Sequence, residues 1–425
     1  MTRLRVVGVA DTDSYVKWGA ALLGSASADW DVELLVLDTP SVVSDAQLHS
    51  ALAGSGMDAA AARRVTFDEL EFALTSRPPD AVLVAARGPL ARVVARTVAE
   101  RAPFAVIVTG LPGISIPATR KALLYRAQCD VFVVHSHREV REFDALAERI
   151  GLPQSFALAS LPFAGRDRAA HGDDLVFAAQ ALVPAERSDR LRIAAMLLAA
   201  ARAHPDRRVV VKLRAERGEH QTHAEADPYP ELLERFAPLP SNLVISTAPM
   251  RAALDSAEGL VTVSSTAAIE AVARGIPVIA LDSFGIAPEL INVVFEGSGL
   301  FGDEVDAAAR RFRHPDPSWI HDNYLHDPAD DDWTAAVAEL VERRREGLLP
   351  HREPLSRRGG SLRDTWERKR ALGPLDRSAA GRVALVLGVP LRAALVAAQR
   401  ARAIAAPRPA ATAPRTPQRE SSTTR

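Results

Sequence analysis

The sequence predicts an α/β protein of two doubly wound domains, each a parallel sheet covered by helices on both faces. Three observations carry this. The β-branched segments are short, continuous apolar runs, such as AVLVAA at 81–86, and continuity rather than alternation is what burial on both faces requires. They alternate with Ala/Leu/Arg-rich stretches of helical length, so right-handed crossovers join successive strands. The alternation occurs twice, on either side of a polar, aperiodic segment, AGRDRAAHGDD at 164–174, whose composition marks a linker.

In the first series, strand 4–10 is followed by helix 15–23 and by strands 32–37 and 81–86. Helix 90–101, strand 104–109, helix 119–128, strand 131–135, helix 138–150 and strand 156–159 complete it. The second series runs through strand 175–179, helix 188–203, strand 208–213 and helix 229–236. Strands 243–246 and 259–263, helix 267–274 and strand 278–281 follow, and helix 331–345 closes the ordered part. The expected organisation is a first domain at 1–163, a linker at 164–174, a second domain at 175–350 and a helical extension at 351–406. The Pro/Ala/Thr/Ser-rich segment 407–425 is expected to be a disordered tail.

Bulk properties exclude several classes. A chain of 425 residues suits two domains. With 48% hydrophobic and 25% charged residues and a formal net charge of −1, the composition supports a real core and gives no general attraction to nucleic acid. The single Cys129 allows no intrachain disulfide and reads as a small buried hydrophobe. The opening MTRLRVVGVADTDS has no secretory pattern, and no run reaches the roughly 18 apolar residues of a membrane span. A cytoplasmic location is therefore expected. Residues 376–425 hold nine Arg against Asp376 and Glu420. Within them, 379–406 is either a basic amphipathic helix resting on the inner face of an anionic membrane or a helix packed on the body.

The strongest local signal lies at 261–282. A buried strand ends in Ser264, Ser265 and Thr266, a helix carrying Glu270 starts at once, and Gly275-Ile276-Pro277 leads into the next strand. Hydroxyls at that point either cap the helix or, with the unpaired N–H groups of its first turn, hold a phosphate. The strand at 208–213 delivers Lys212 and, two residues on, Arg214 to the same side of its end. Such a pair suits a diphosphate or an acidic sugar, or is a solvated charge cluster. His223 lies in the loop beyond. Gln180 follows the strand at 175–179, as a ligand contact or an ordinary loop residue. In the first domain, Asp11 and Asp13 follow the first strand, where a carboxylate faces a cleft or caps the next helix. Thr109-Gly-Leu-Pro-Gly113 reads as a turn that lets backbone approach a ligand, and His135-Ser136 as a strand-end pair with Ser136 capping the next helix. There is no G-x-G-x-x-G, so dinucleotide binding is unsupported. The eleven His are scattered without H-x-x-x-H spacing or Cys partners, so no metal centre is expected.

The pattern S-S-T-x-x-x-E-A-x-x-x-G-x-P after a strand resembles the donor-site helix of GT-B enzymes, a group of two facing Rossmann-like domains. It is similar to that of capsule-type Kdo transferases, bacterial polysialyltransferases, teichoic-acid glycerophosphotransferases and the UDP-GlcNAc 2-epimerase. The resemblance implies that Ser264, Ser265 and Thr266 hold nucleotide phosphates, and that Glu270 helps hold the donor. It implies a metal-independent glycosyltransferase of polysaccharide biosynthesis. Its partners would be a nucleotide sugar, as substrate and not as bound cofactor, and a glycan or lipid-linked acceptor. Asp13, or Asp11, would be the base that an inverting transfer needs. The Lys-x-His-Pro motif of the capsule and sialic-acid enzymes is missing, since Leu213-Arg214-Ala215 follows Lys212; His223 is the residue that could replace its histidine. The alternatives are a sugar-nucleotide epimerase of the same fold and a carbohydrate-binding protein without catalysis.

Overall fold

The computed structural model describes residues 3–26, 28–162, 164–165, 167, 172–213, 225–388 and 390. The first domain contains β1 (Leu4–Ala10), α1 (Asp13–Gly24), β2 (Trp30–Leu37), α2 (Asp45–Leu52), β3 (Ala62–Val65), α3 (Phe67–Ser76), β4 (Ala81–Ala85), α4 (Gly88–Arg101), β5 (Val106–Gly110), α5 (Arg120–Arg126), β6 (Val131–Val134), α6 (His137–Arg149) and β7 (Ser155–Leu158). Its sheet runs β3-β2-β1-β4-β5-β6-β7 with every pairing parallel. The second domain contains β8 (Asp174–Ala178), α7 (Arg187–Ala203), β9 (Val209–Lys212), α8 (Tyr229–Glu234), β10 (Leu243–Ser246), α9 (Met250–Asp255), β11 (Ala257–Thr262), α10 (Ala267–Ala273), β12 (Val278–Leu281) and β13 (Phe301–Gly302). Its sheet runs β10-β9-β8-β11-β12-β13, again parallel throughout. Thus both sheets wind outward from their first strand, and each has a switch point, between β1 and β4 and between β8 and β11.

The continuous apolar runs are explained by two-sided burial. Val6 and Ala10 join the cluster under α1, whereas Val7 and Val9 join the cluster under α3 and α4. In the second sheet, Val176 and Ala178 pack beside α10, and Leu175 and Phe177 pack beside α7. The expected linker ends sooner than its composition suggested: Asp174 is the first residue of β8. Its buried carboxylate accepts from Arg208 at 2.9 and 2.5 Å and from Ser256 Oγ at 2.7 Å.

After β13 come α11 (Glu304–Ala308), α12 (Pro317–Asp322), α13 (Trp333–Arg345) and α14 (Gly360–Leu372). Helix α13, expected to close the second domain, returns to the first sheet instead. Trp333, Val337 and Val341 enter the core beneath α1, and Trp333 meets Trp30 edge to face at 5.5 Å. Helix α14 continues along the first domain, with Leu372 in the cluster under α4. Residues 379–388 are helical, with Ala384 buried and Val383, Val386 and Leu387 exposed. Among the described residues no helix is long and apolar enough to cross a membrane.

Helix α13 is therefore part of the first domain's core. Trp333→Ala removes a buried aromatic together with its contact to Trp30. It should lower unfolding free energy by about 3–5 kcal/mol, the usual cost of such a cavity, as read from urea denaturation followed by circular dichroism. A loss under 1 kcal/mol would mean that the helix is only laid against the sheet.

Candidate functional site

At the second switch point, β8 delivers Gln180 and β11 delivers Ser264. Gln180 Oε1 accepts from the Ser264 N–H at 2.9 Å, and its Nε2 donates to Ser264 Oγ at 3.1 Å. Thr262 Oγ1 donates to the Ala178 carbonyl at 3.2 Å and accepts from the Ser265 N–H at 3.1 Å. The turn into α10 is thus held from both strands. Its three hydroxyls have different surroundings. Ser264 is buried against Gln180, and Ser265 Oγ accepts from the Ala267 N–H at 3.2 Å as a local cap. The Thr266 side chain makes no cap bond and faces the first domain. Gly113 lies so near that a Cβ there would come within 3.1 Å of Thr266 Oγ1. The close approach expected at Gly113 is therefore to the other domain.

Lys212 ends β9, buried, and its Nζ donates to the Leu213 carbonyl. Arg214 and His223, the other two expected site residues of this region, lie outside the described residues. Glu270 is half-buried on α10. Burial pushes its carboxyl up, opposed by the charges of Lys17, Arg274 and Lys212. Lys17 belongs to α1 of the first domain, so a carboxylate of one domain sits in the field of a cation from the other. Lys17 was not among the expected site residues. Its signal was its spacing four residues after Asp13, which puts both on one face of α1.

Asp13 is the first residue of α1 and half-buried; Thr12 holds the cap position, without a side-chain bond. Asp11 is corrected from a candidate base to a structural group. Its carboxylate is fully buried, accepting from the Arg87 N–H at 3.2 Å and from Arg87 Nε at 2.8 Å. Burial raises its pKa, and Arg87 opposes the rise. In this arrangement the carboxylate is occupied by Arg87 and closed off from solvent.

The strand-end pair His135-Ser136 is structural too. His135 Nε2 accepts from Trp18 Nε1 at 2.7 Å, and Nδ1 meets the Ala159 carbonyl at 2.8 Å. Both contacts suit a neutral ring protonated at Nδ1. Ser136 caps α6, as its place in the sequence suggested, accepting from the Glu139 N–H at 3.0 Å. Sequence reasoning missed what Glu139 does. Its Oε1 accepts from the Ser115 N–H at 2.9 Å, from Ser115 Oγ at 2.5 Å and from Tyr324 OH at 2.5 Å. Its Oε2 accepts from the His135 N–H at 2.7 Å. Burial and Glu139 together hold the Tyr324 phenol well above its ordinary range, so it stays a donor. Ser115 belongs to the loop between β5 and α5, and Tyr324 follows α12. The same loop inserts Ile116 into the second domain's core.

No metal centre was expected, yet the fold gathers some of the scattered histidines. Among the described residues, His137, His321 and Asp330 bring one ligand atom each to within 4.8 Å of one another. Their separation along the chain hides the group from any motif search.

The chain belongs to the family described as "Putative glycosyltransferase (DUF6716)", whose model matches residues 6–340. No curated protein sequence matches it. Among solved structures it is similar to the UDP-GlcNAc 2-epimerase of Methanocaldococcus jannaschii in complex with UDP-GlcNAc and UDP. That similarity has a TM-score of 0.52 at 11% identity over 80% of this chain and 100% of the other. It is also similar to S. aureus MnaA in a co-structure with UDP, with a TM-score of 0.50 at 12% identity over 83% and 100%. At such identity the likeness concerns the fold, which is GT-B: two parallel-sheet α/β domains facing each other.

The buried His135 yields a pH dependence. Burial lowers its pKa from 6.5, outweighing the nearby Glu139 charge. Below about 6.5 the unfolded chain takes up a proton that the folded chain refuses, so stability falls as pH falls through that value. His135→Asn should be less stable at neutral pH, yet lose less than the wild type between neutral and mildly acidic pH in thermal melts. Parallel pH profiles for the two proteins would refute the assignment.

Proposed function

We propose that this protein is a glycosyltransferase that moves a sugar from a nucleotide-activated donor, of the UDP-linked class, to a glycan or lipid-linked acceptor of a surface polysaccharide. The observation that carries the reading is that Glu270, on the helix that follows Ser264, Ser265 and Thr266, lies in the electrostatic field of Lys17 from the first domain and Lys212 from the second. Cations from both domains beside a hydroxyl-bearing helix start suit a diphosphate, whose charge grows as the nucleotide leaves. In this scheme Ser265, Thr266 and Lys212 hold the phosphates, and Gln180 keeps Ser264 and the turn in place. Glu270 holds donor hydroxyls. Asp13, at the first switch point, takes the proton of the acceptor hydroxyl. No metal is assigned to the transfer. The UDP class is proposed because the two similar solved structures hold UDP or a UDP-sugar and because the Lys-x-His-Pro motif is missing. The surface-polymer acceptor is proposed on the sequence resemblance of 261–282 to the donor-site helix of capsule-type enzymes. The arginines of 379–406 suit a place at the inner face of an anionic membrane, near a lipid-linked acceptor.

An epimerase is the second reading, favoured by the fold likeness to the two UDP-sugar proteins. Incubating the full-length protein with UDP-sugars, with and without acceptor lipid or glycan, separates the two. UDP release that depends on acceptor supports transfer; a sugar of inverted configuration, UDP-linked or free, formed without acceptor supports epimerisation.

Two variants test the residues. Lys212→Ala should weaken UDP binding by roughly 1–3 kcal/mol, the scale of a charge-assisted hydrogen bond, with melting little changed. Asp13→Asn should keep UDP affinity and lose transfer by about 10²-fold, the scale of a positioned general base. Unchanged calorimetric affinity in the first variant, or unchanged transfer in the second, would remove that residue from the scheme.

A further inference from the structure

We propose that His137, His321 and Asp330 form a binding site for a divalent transition-metal ion of the zinc class, placed where the two domains join and separate from the cleft. His137 is the first residue of α6, His321 lies on α12, and Asp330 ends the short helical turn 328–330. His137 Nε2 stands 3.0 Å from Asp330 Oδ2, and the His137 and His321 rings lie 5.4 Å apart. All three ligand atoms fall within 4.8 Å of one another. A tetrahedral zinc ion with bonds of about 2.0–2.1 Å needs its ligands roughly 3.3–3.4 Å apart. The exposed His321 ring therefore has to swing inward by little more than an ångström.

The geometry does not depend on the attraction of these three side chains for each other, because neighbouring contacts fix each supporting segment. Arg141 clamps Asp322 through two bonds of 2.7 Å, fixing α12 against α6. Asp332 exchanges backbone and side-chain bonds with Leu158, at 3.1 and 2.6 Å. Asp331 accepts from Ser160 Oγ at 3.2 Å, pinning the chain beside Asp330 to the end of β7. The donor set is two imidazoles and a carboxylate, which suits zinc and its cobalt substitute rather than magnesium or calcium. On binding, His137 would turn its Nε2 lone pair to the ion, so Nε2 gives up the proton that it now directs at Asp330. The nearby cations do not oppose an ion strongly. Arg141 is spent on Asp322, and Arg138 is spent on Glu142 and on the carbonyls of Val293 and Val294. His326, beside His137, is turned to Asp331 at 2.8 Å. An ion here would join a helix of the first domain to two segments that follow the second sheet, and so brace the angle between the domains.

The test uses metal-free full-length protein, titrated with Zn²⁺ by calorimetry and with Co²⁺ by visible absorption, with thermal melting in parallel. Saturable one-to-one binding, a tetrahedral Co²⁺ spectrum and a higher melting temperature with Zn²⁺ are expected. His321→Ala and Asp330→Asn should each abolish the saturable response. Both positions are exposed, so the metal-free melting temperature should stay close to wild type, which separates loss of the site from loss of the fold. The double substitution His220→Ala/His223→Ala should leave the response intact. Absence of saturable binding in the wild type, binding that survives both single substitutions, or binding lost in the His220/His223 double variant would each overturn the proposal.

Discussion

Glu139 is the group on which the arrangement of the two domains depends. A buried carboxylate is costly unless donors surround it, and this one collects four, from Ser115, His135 and Tyr324. Three of them meet at a single oxygen. They come from the loop after β5, from the end of β6 and from the segment beyond α12. Those segments have no local reason to lie together, and the charge supplies one. With the loop after β5 held there, Ile116 enters the second domain's core and Gly113 comes against Thr266. The rim of the cleft is thus set by a carboxylate that is not itself in the cleft.

The cleft uses charge differently. Around Glu139 both carboxylate oxygens accept close hydrogen bonds from the protein. Around Glu270 the partners are cations at longer range, and burial still pushes the carboxyl up. Asp11 and Asp13 also differ in their surroundings. Two residues of one type, two positions apart, are divided by the start of α1 into a buried ion pair with Arg87 and a half-buried helix start.

The parallel sheets were legible because two-sided burial writes itself as unbroken apolar runs. The bounds of β1, β4, β8, β11 and β12 lie within one or two residues of the expected segments. Less legible was the stretch between β2 and β4. Strand β3 is Ala-Arg-Arg-Val at a sheet edge, and an edge strand needs little apolar surface. Helix α3 did carry a readable sign, the Thr66–Glu69 capping box. Of the candidate site residues, the places in the fold of the hydroxyls, Lys212 and Glu270 were legible because each stands at the end of a predicted strand or the start of a predicted helix. Lys17, Glu139 and Tyr324 were not, because their roles arise from contacts between domains. Hydrophobic periodicity says that helix α13 buries a face, but it does not say against which sheet.

The return of α13 bears on the order in which the molecule can be made. The first sheet is encoded by the opening third of the chain, yet one patch of its core, around Trp30, is completed only by Trp333, Val337 and Val341. During synthesis from the amino end, that patch stays open until the whole second domain has left the ribosome. The first domain can collapse early, but its last layer arrives late. A nascent chain of this protein therefore carries an uncovered apolar strip through most of its translation, the kind of surface that chaperones recognise.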